Sequence, residues 1–334
     1  MKALHKFRFL FLVLVAALVG CGEKEAPKAP IAQKPVVQKP FVVAIPTYPG
    51  FAIPYLAQEK GFFGDQKVEL KRIDDAAVIN SGMVRGDIDA CFTSVDSFVL
   101  AASQQVDAVA VLLTDESRGA DGIVAKPRIK SVSELKGKKV AANLGWPGHF
   151  FLLYNLKKAG IPFKDVPITN MDADKAGAAF VSGALDAAVT WEPWLSKATS
   201  GNAGKILVST STLPGVIVDV MLVRKGTAQE RPAAVQAFVN GYYRALAAYE
   251  ADKGSGTQVM AKAVGIEPKE FDAMTQGFRF IKPEEAQKLL AAQGAVEQLF
   301  KTAADIWLEA QVIDKLVSNE GRSVDKFVNA YPGK

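Results

Sequence analysis

The sequence predicts an α/β protein made of two successive strand–helix units and a helical C-terminal region. Three observations carry this. Short apolar runs alternate with helix-like stretches from Phe41 onward, the pattern restarts near Gly122, and helical periodicity alone continues after Gly226. At 334 residues and 49% hydrophobic, the chain can bury one large core or two medium ones.

The elements follow in order. "FVVAIP" (41–46) is a short apolar run with turn signals behind it and reads as a buried strand. A helix is expected from about Ala52 to Lys60, closed by Gly61. "VELKRI", "IDACFTS" and "VDAVAVLLTD" read as strands, separated by the helices "AAVINSGMVRG" and "VDSFVLAASQ". This spacing predicts βαβ units and a mostly parallel sheet. In the second unit, "SVSEL" reads as a short helix capped by Ser131 or Ser133, followed by a strand at 139–143. The helices "GHFFLLYNLKKAG" and "DADKAGAAFVSG" then alternate with the strands "VPITNM", "LDAAVT" and "KILVST". "VIVDVMLVRKG" is a strand, and from Gly226 the chain reads as helical to its end. No Pro/Gly-rich linker separates the units, and "DGIVAK" and "VIVDVMLV" are short enough to be strands running between two lobes. A cleft between lobes is a common place for a small-molecule site.

The formal charge is +5, and Lys2, Lys6 and Arg8 account for three of those charges, leaving +2 beyond the leader. So small a charge gives no basis for nucleic-acid binding through a basic patch. The leader has a basic start and an apolar core, Phe9 to Val19, too short for a membrane span and suited to a signal peptide. It ends in "LVGC", which resembles the bacterial lipobox; the resemblance implies cleavage that leaves Cys21 as a lipidated N-terminus, the alternative being an ordinary signal peptide with an incidental Cys. The Pro-, Lys- and Ala-rich stretch that follows reads as an extended tether of about 60 Å at roughly 3.1 Å per residue. The other cysteine, Cys91, has no partner and reads as a buried thiol. The one histidine beyond the leader is His149, so neither metal-ligand spacing nor a His-based nucleophilic triad is present; no cofactor is expected.

The stretch "VTWEPWLSKA" places Trp191, Glu192 and Trp194 at a strand-to-helix junction. An aromatic face beside a carboxylate can pack an apolar ligand part and pair with a cationic one. Pro193 suits a first helical turn, so Glu192 could equally cap a helix N-terminus, and Trp194 suits packing between elements. Asp219 stands within the apolar run "VIVDVMLV". A buried carboxylate needs a partner, which is either a protein donor or a ligand.

Several segments together resemble the periplasmic binding proteins of ABC importers for nitrate, sulfonates, taurine and thiamine-pyrimidine precursors. They are "YPGFAIPYLAQEKGFF", "VRGDIDACFTSVDS", "DESRGADGIVAK", "LKGKKVAANLGWPGHFFLLYNLKKAGI", "AFVSGALDAAVTWEPWLSKA" and "LPGVIVDVMLV". "GADGIV", "WEPW" and "DVMLV", in that order, are the specific ones, and the likeness covers roughly residues 41–265. The resemblance implies a two-lobed type II periplasmic-binding fold that closes on one small molecule. The expected divisions are a signal peptide (1–20), a tether (21–40), lobe 1 (41–122), lobe 2 (123–217) and a return to lobe 1 with C-terminal helices (218–334).

The resemblance places the pocket at loops following the carboxyl ends of strands, the usual location in open α/β sheets. Its candidate residues are Tyr48, Ser94, Ser97, Asp115, Trp146, His149, Trp191, Glu192 and Asp219. Ser94 could instead be only a helix N-cap, His149 only structural, and Asp121 more a crossover residue than a ligand contact. The implied role is a non-enzymatic, lipid-anchored, monomeric receptor in the bacterial envelope that serves an ABC permease and its ATPase. An envelope sensor would need a separate signalling partner. A thiamine-pyrimidine synthase of related fold would need a Cys-rich segment that this sequence lacks. Glu192 and Asp219, with Arg118 the one cation nearby, predict an amine-bearing ligand or nitrogen heterocycle rather than a plain inorganic anion.

Overall fold

The apolar run "AVAVLLTDES" forms a ten-residue strand in which every residue is buried. A strand covered on both faces needs no polar alternation. The computed structural model describes residues 39–333; the leader, nearly all of the tether and Cys21 lie outside them.

Eleven strands are formed among the described residues: β1 (Phe41–Ile45), β2 (Val68–Arg72), β3 (Ala90–Ser94), β4 (Ala108–Ser117), β5 (Asp121–Ala125), β6 (Val140–Ala142), β7 (Ile168–Asn170), β8 (Ala187–Trp191), β9 (Lys205–Ser209), β10 (Val218–Arg224) and β11 (Phe278–Phe280). They make two sheets, β11-β4-β10-β3-β1-β2 and β7-β6-β8-β5-β9. Local chemistry sets the helices between them. Asp75 caps the helix Ala76–Arg85 by accepting from the amides of Ala77 and Val78, and Gly86 ends it at φ 86°. Ser94 caps the helix Val95–Ser103, and Pro147 opens the helix Pro147–Lys158 where its missing N–H is harmless.

Two expectations need correction. The sheets are not mostly parallel: β1 pairs parallel with β2 and β3, and β6 with β7 and β8, whereas β4, β5, β9, β10 and β11 all pair antiparallel. The chain enters the second sheet along β5 and re-enters the first along β10, and both of these strands run against the βαβ direction. The C-terminal region is also not wholly helical. "FRF" forms β11 on β4, with Phe278 opposite Ser117 and Phe280 opposite Asp115. Three residues are too few to show a period, and the partner strand lies far away in sequence. The "SVSEL" turn is a 3-10 helix, Val132–Leu135, starting behind Ser131.

The chain passes from the first sheet to the second through Arg118–Ala120 and returns after Thr210–Thr212. The two passages are tied together. Thr210 Oγ1 lies 2.8 Å from Ser117 Oγ, accepts from the Gly119 amide at 2.8 Å, and donates to the Asp121 carbonyl at 3.3 Å. A second tie runs through the C-terminal helix Ala295–Glu309. Its fully buried Trp307 packs on His149 (5.2 Å) and Phe150 (5.9 Å) from beneath the second sheet. The same indole donates to the Asp96 carbonyl beside the first sheet at 3.0 Å. Main-chain passages and one tryptophan therefore bring the carboxyl edges of the parallel strands of both sheets towards each other.

Candidate functional site

Five segments meet where these strands end. After β1, Thr47 is held by Asp74 through its amide (2.6 Å) and hydroxyl (3.1 Å). Tyr48 then packs on Phe51 and Phe278, and its hydroxyl donates to Asp115 Oδ1 at 3.3 Å. Gly50 permits this approach, since a Cβ there would stand 2.4 Å from Asp115 Oδ2. After β3, Ser94 Oγ donates to Ser97 Oγ at 2.9 Å. In the ladder, Asp219 of β10 lies opposite Ser94. A register irregularity between Val218 and Val220 sets Asp219 against the Asp115 region of β4.

Asp115 and Asp219 stand close enough that each shifts the other's titration, and Asp115 also accepts from Thr114 Oγ1 at 3.0 Å. Burial pushes the Asp115 carboxyl up to about 7. Burial, then repulsion from Asp115, raises Asp219 well above the usual carboxylate range. Two buried carboxyl groups in contact cannot both ionise cheaply, so the pair holds a proton between them. Two further acids stand close by. Burial raises Asp121, bonded to Ser117 Oγ at 2.6 Å, to about 6, and Asp96 to about 7.

The absence of cations separates this group from other buried acids. Asp89 is paired with Arg231 at 3.1 Å, and Glu116 with Arg118 and Arg279 at 2.9 and 2.8 Å. Among the described ion pairs, none reaches Asp96, Asp115, Asp121 or Asp219. No group of three metal-ligating side chains suited to a metal ion occurs among the described residues. A cavity of about 200 Å³ opens elsewhere, beside Glu116, Arg118, Val218 and Leu299. It contains none of the nine candidate residues, and its acids already have arginine partners. The unpaired carboxyls, not that cavity, mark the candidate site.

The second sheet supplies aromatic groups at the matching edge. Trp191 ends β8 opposite Asp121. Its indole N–H donates to Asp174 Oδ1 at 2.7 Å, and that oxygen also accepts from Trp194 at 3.1 Å. Trp194 packs its Cβ over Gly177, where any side chain would collide, and Lys197 lies over its ring at 4.2 Å. Both Glu192 oxygens accept from Ser196, one from the amide at 3.1 Å and one from the hydroxyl at 2.9 Å. That is the capping arrangement open to it from the sequence, although the helix starts at Trp194, after a cis Glu192–Pro193 bond, rather than at Pro193. Half-buried Trp146 stands just before the helix Pro147–Lys158. His149 is buried, accepts from the Gly145 amide at 3.1 Å, and is pushed down to about 4 by burial, so it is neutral. Cys91 is a buried thiol, pushed up to about 12 by burial.

Tyr48, Ser94, Ser97, Asp115 and Asp219 thus come together directly, with Asp121 joining them from the crossover. Asp96, Asp174 and Trp307 were missed from the sequence. Asp96 and Asp174 each fall in the first turn of a helix, where an acid reads as a response to the helix dipole. Trp307 lies in a helix whose apolar stripe gave no sign of what it meets.

The model of the NMT1/THI5 like family matches residues 48–252, and the chain belongs to that family. It is 26% identical over 227 residues to the taurine-binding periplasmic protein of Escherichia coli, covering 65% of this chain and 70% of that one. It is 28% identical over 201 residues to a putative aliphatic sulfonates-binding protein of Bacillus subtilis, covering 57% of this chain and 60% of that protein. The crystal structure of the periplasmic aliphatic sulphonate binding protein SsuA from Escherichia coli superposes with a TM-score of 0.70 at 22% identity, covering 86% of this chain and 92% of that one. The fold is that of periplasmic binding proteins.

The carboxyls predict an inverted pH response. Each has a folded pKa above its ordinary value of 3.8, so the folded chain holds extra protons and these groups remove stability as pH rises towards 7 and just beyond. His149 acts oppositely, adding stability as pH rises from about 4 to 6.5, and its effect is complete above that. Between pH 6.5 and about 8 the melting temperature of the ligand-free protein should therefore fall, and Asp219→Asn should flatten the fall. A melting temperature that rises across this interval would contradict the assignment.

Proposed function

We propose that the protein is an extracytoplasmic solute receptor that captures a small organic molecule between two lobes and hands it to an ABC permease with its ATPase. The lobes of this reading are the halves built on the two sheets, residues 41–122 with 218–334, and 123–217. Family membership and the binding roles named for its relatives support a carrier over an enzyme. The observation that carries the ligand reading is the Asp115–Asp219 pair, buried and without a cationic partner among the described residues.

In this reading the ligand brings a protonated amine or several N–H donors, as an amine or nitrogen heterocycle would, with an amino-sulfonate such as taurine at the edge of the class. The incoming cation supplies the charge that the pair lacks, so the shared proton leaves and both carboxyls accept from the ligand. Tyr48 holds Asp115 in place, Ser94 and Ser97 offer hydroxyls, and Trp146 and Trp191 form aromatic walls on the opposite lobe. Glu192, engaged with Ser196, sets the turn that presents Trp191. Contacts to both lobes favour the closed state, with hinging at the Arg118–Ala120 passage and the return after Thr212.

Calorimetry on the ligand-stripped protein tests this. Simple amines and taurine should bind and nitrate or sulfate should not, and Asp219→Asn should weaken amine binding by about 1.5–3 kcal/mol, the range for a hydrogen bond to a charged group. Tight binding of a plain anion, undiminished in Asp219→Asn, would show that the pocket has been misassigned.

The same proposal anchors the receptor at the cell envelope through Cys21, on the strength of the "LVGC" motif behind a short apolar run. Labelling cells with a fatty-acid probe should mark the wild type and leave Cys21→Ala unmarked. Equal labelling of both would remove the anchor from the account.

A further inference from the structure

Asp96 is the carboxylate in this group that the protein serves least. It is 1% exposed, and its Oδ1 has no hydrogen-bond partner among the described residues. Its Oδ2 receives a long bond of 3.4 Å from Ser97 Oγ. Trp307 approaches it, but that indole donates to the backbone carbonyl of Asp96 and not to Oδ1. Buried carboxylates elsewhere in this protein are treated differently. Asp89 accepts from the Val42 amide, the Thr227 hydroxyl and Arg231, at 3.0, 3.2 and 3.1 Å.

A first-turn acid is ordinarily explained by the helix dipole, with the carboxylate in water or bound to the free amides of that turn. Asp96 has neither. An orphaned, desolvated oxygen is rare in native proteins and calls for a missing donor. Its position identifies the donor's source. Ser97 Oγ links Asp96 Oδ2 to Ser94 Oγ, and Ser94 stands opposite Asp219 in the ladder. Asp96 adds to the upward shift of Asp219, and Asp121 acts on both. Asp96 therefore borders the same group of acids on the β3 side, whereas Asp115 lies on the β4 side.

We propose that Asp96 is a second acidic contact for the ligand, separate from the Asp115–Asp219 pair, and that the ligand is a small organic cation with two N–H-bearing groups, of the diamine or amino-amidine class. This rests on the reading of the cleft as a cation site. The N-terminus of the helix Val95–Ser103, which would otherwise favour the oxygens of a sulfonate, is already faced by a buried carboxylate. A second N–H group satisfies that carboxylate, whereas an anion is repelled by it.

The test is calorimetric titration of the full, ligand-stripped protein at pH 8 with diaminobutane, butylamine and taurine. The wild type should bind diaminobutane at least about tenfold more tightly than butylamine, the usual scale of one added charged hydrogen bond. Asp96→Asn should abolish that preference while leaving the butylamine affinity within about threefold. A loss of stability alone would weaken both amines together. Asp96→Ser serves as the second variant, with thermal melting confirming that each is folded; removal of an unpaired buried charge should leave the melting temperature unchanged or higher. Equal binding of the two amines by the wild type, or a preference that survives in both folded variants, overturns the role of Asp96 and leaves the cation reading standing. Binding of taurine with neither amine bound overturns the cation reading itself.

Discussion

The contact between Asp115 and Asp219 constrains everything built around it. The two carboxyls belong to strands joined in register only because the chain, after building the second sheet, returns through β10 between β3 and β4. That insertion places Asp219 opposite Ser94, and the local irregularity turns it towards Asp115. The surroundings then conform to the pair. Gly50 lacks a Cβ so that Asp115 fits, Tyr48 spends its hydroxyl on it, and Tyr242 lies close enough that Asp115 raises its pKa further after burial. A protein selected for stability alone would replace such a pair by apolar residues or give it an arginine. Glu116, one residue along the same strand, has two arginines. Withholding a cation from one position and supplying it at the next is what singles out this pair as the candidate site.

Some of this was legible in the sequence because burial and chemistry conflict locally. An aspartate inside "VIVDVMLV" announces its own problem, and Tyr48, Ser94, Ser97 and Asp115 follow from the rule that ligands meet the carboxyl ends of strands. Other parts depend on distances that sequence spacing does not encode. β11 is three residues whose partner is β4, and neither strand's pattern names the other. Asp96 reads as an ordinary first-turn acid until the helix Ala295–Glu309 is known to close over it. Asp174 is an exposed residue until two indoles are found to share one of its oxygens.

The two tryptophans and the glutamate of "VTWEPWLSKA" divide the labour between them. Glu192 secures the start of the helix Trp194–Ser200, Trp194 fills the space above Gly177, and Trp191 remains at the strand end with its N–H fixed by Asp174. His149 likewise serves the frame, closing its own loop and packing on Trp307. Trp307 in turn reaches the backbone of Asp96. The aromatic residues thus join the two halves through the same side chain that seals the least satisfied acid, so a ligand contacting Asp96 would act on a residue already wired to the opposite half. That link is a contact path, and its energetic coupling is for experiment to measure.

The central claim is that buried carboxyls hold protons until a cation replaces them. It is tested most directly by counting protons on binding, with calorimetry of one amine ligand near pH 7 in buffers of different ionisation enthalpy. The account predicts a net release of about one proton per ligand bound, reduced in Asp219→Asn. Binding with no release, or with uptake of a proton, would mean that the pair does not exchange its proton for the ligand and that the ligand is recognised elsewhere.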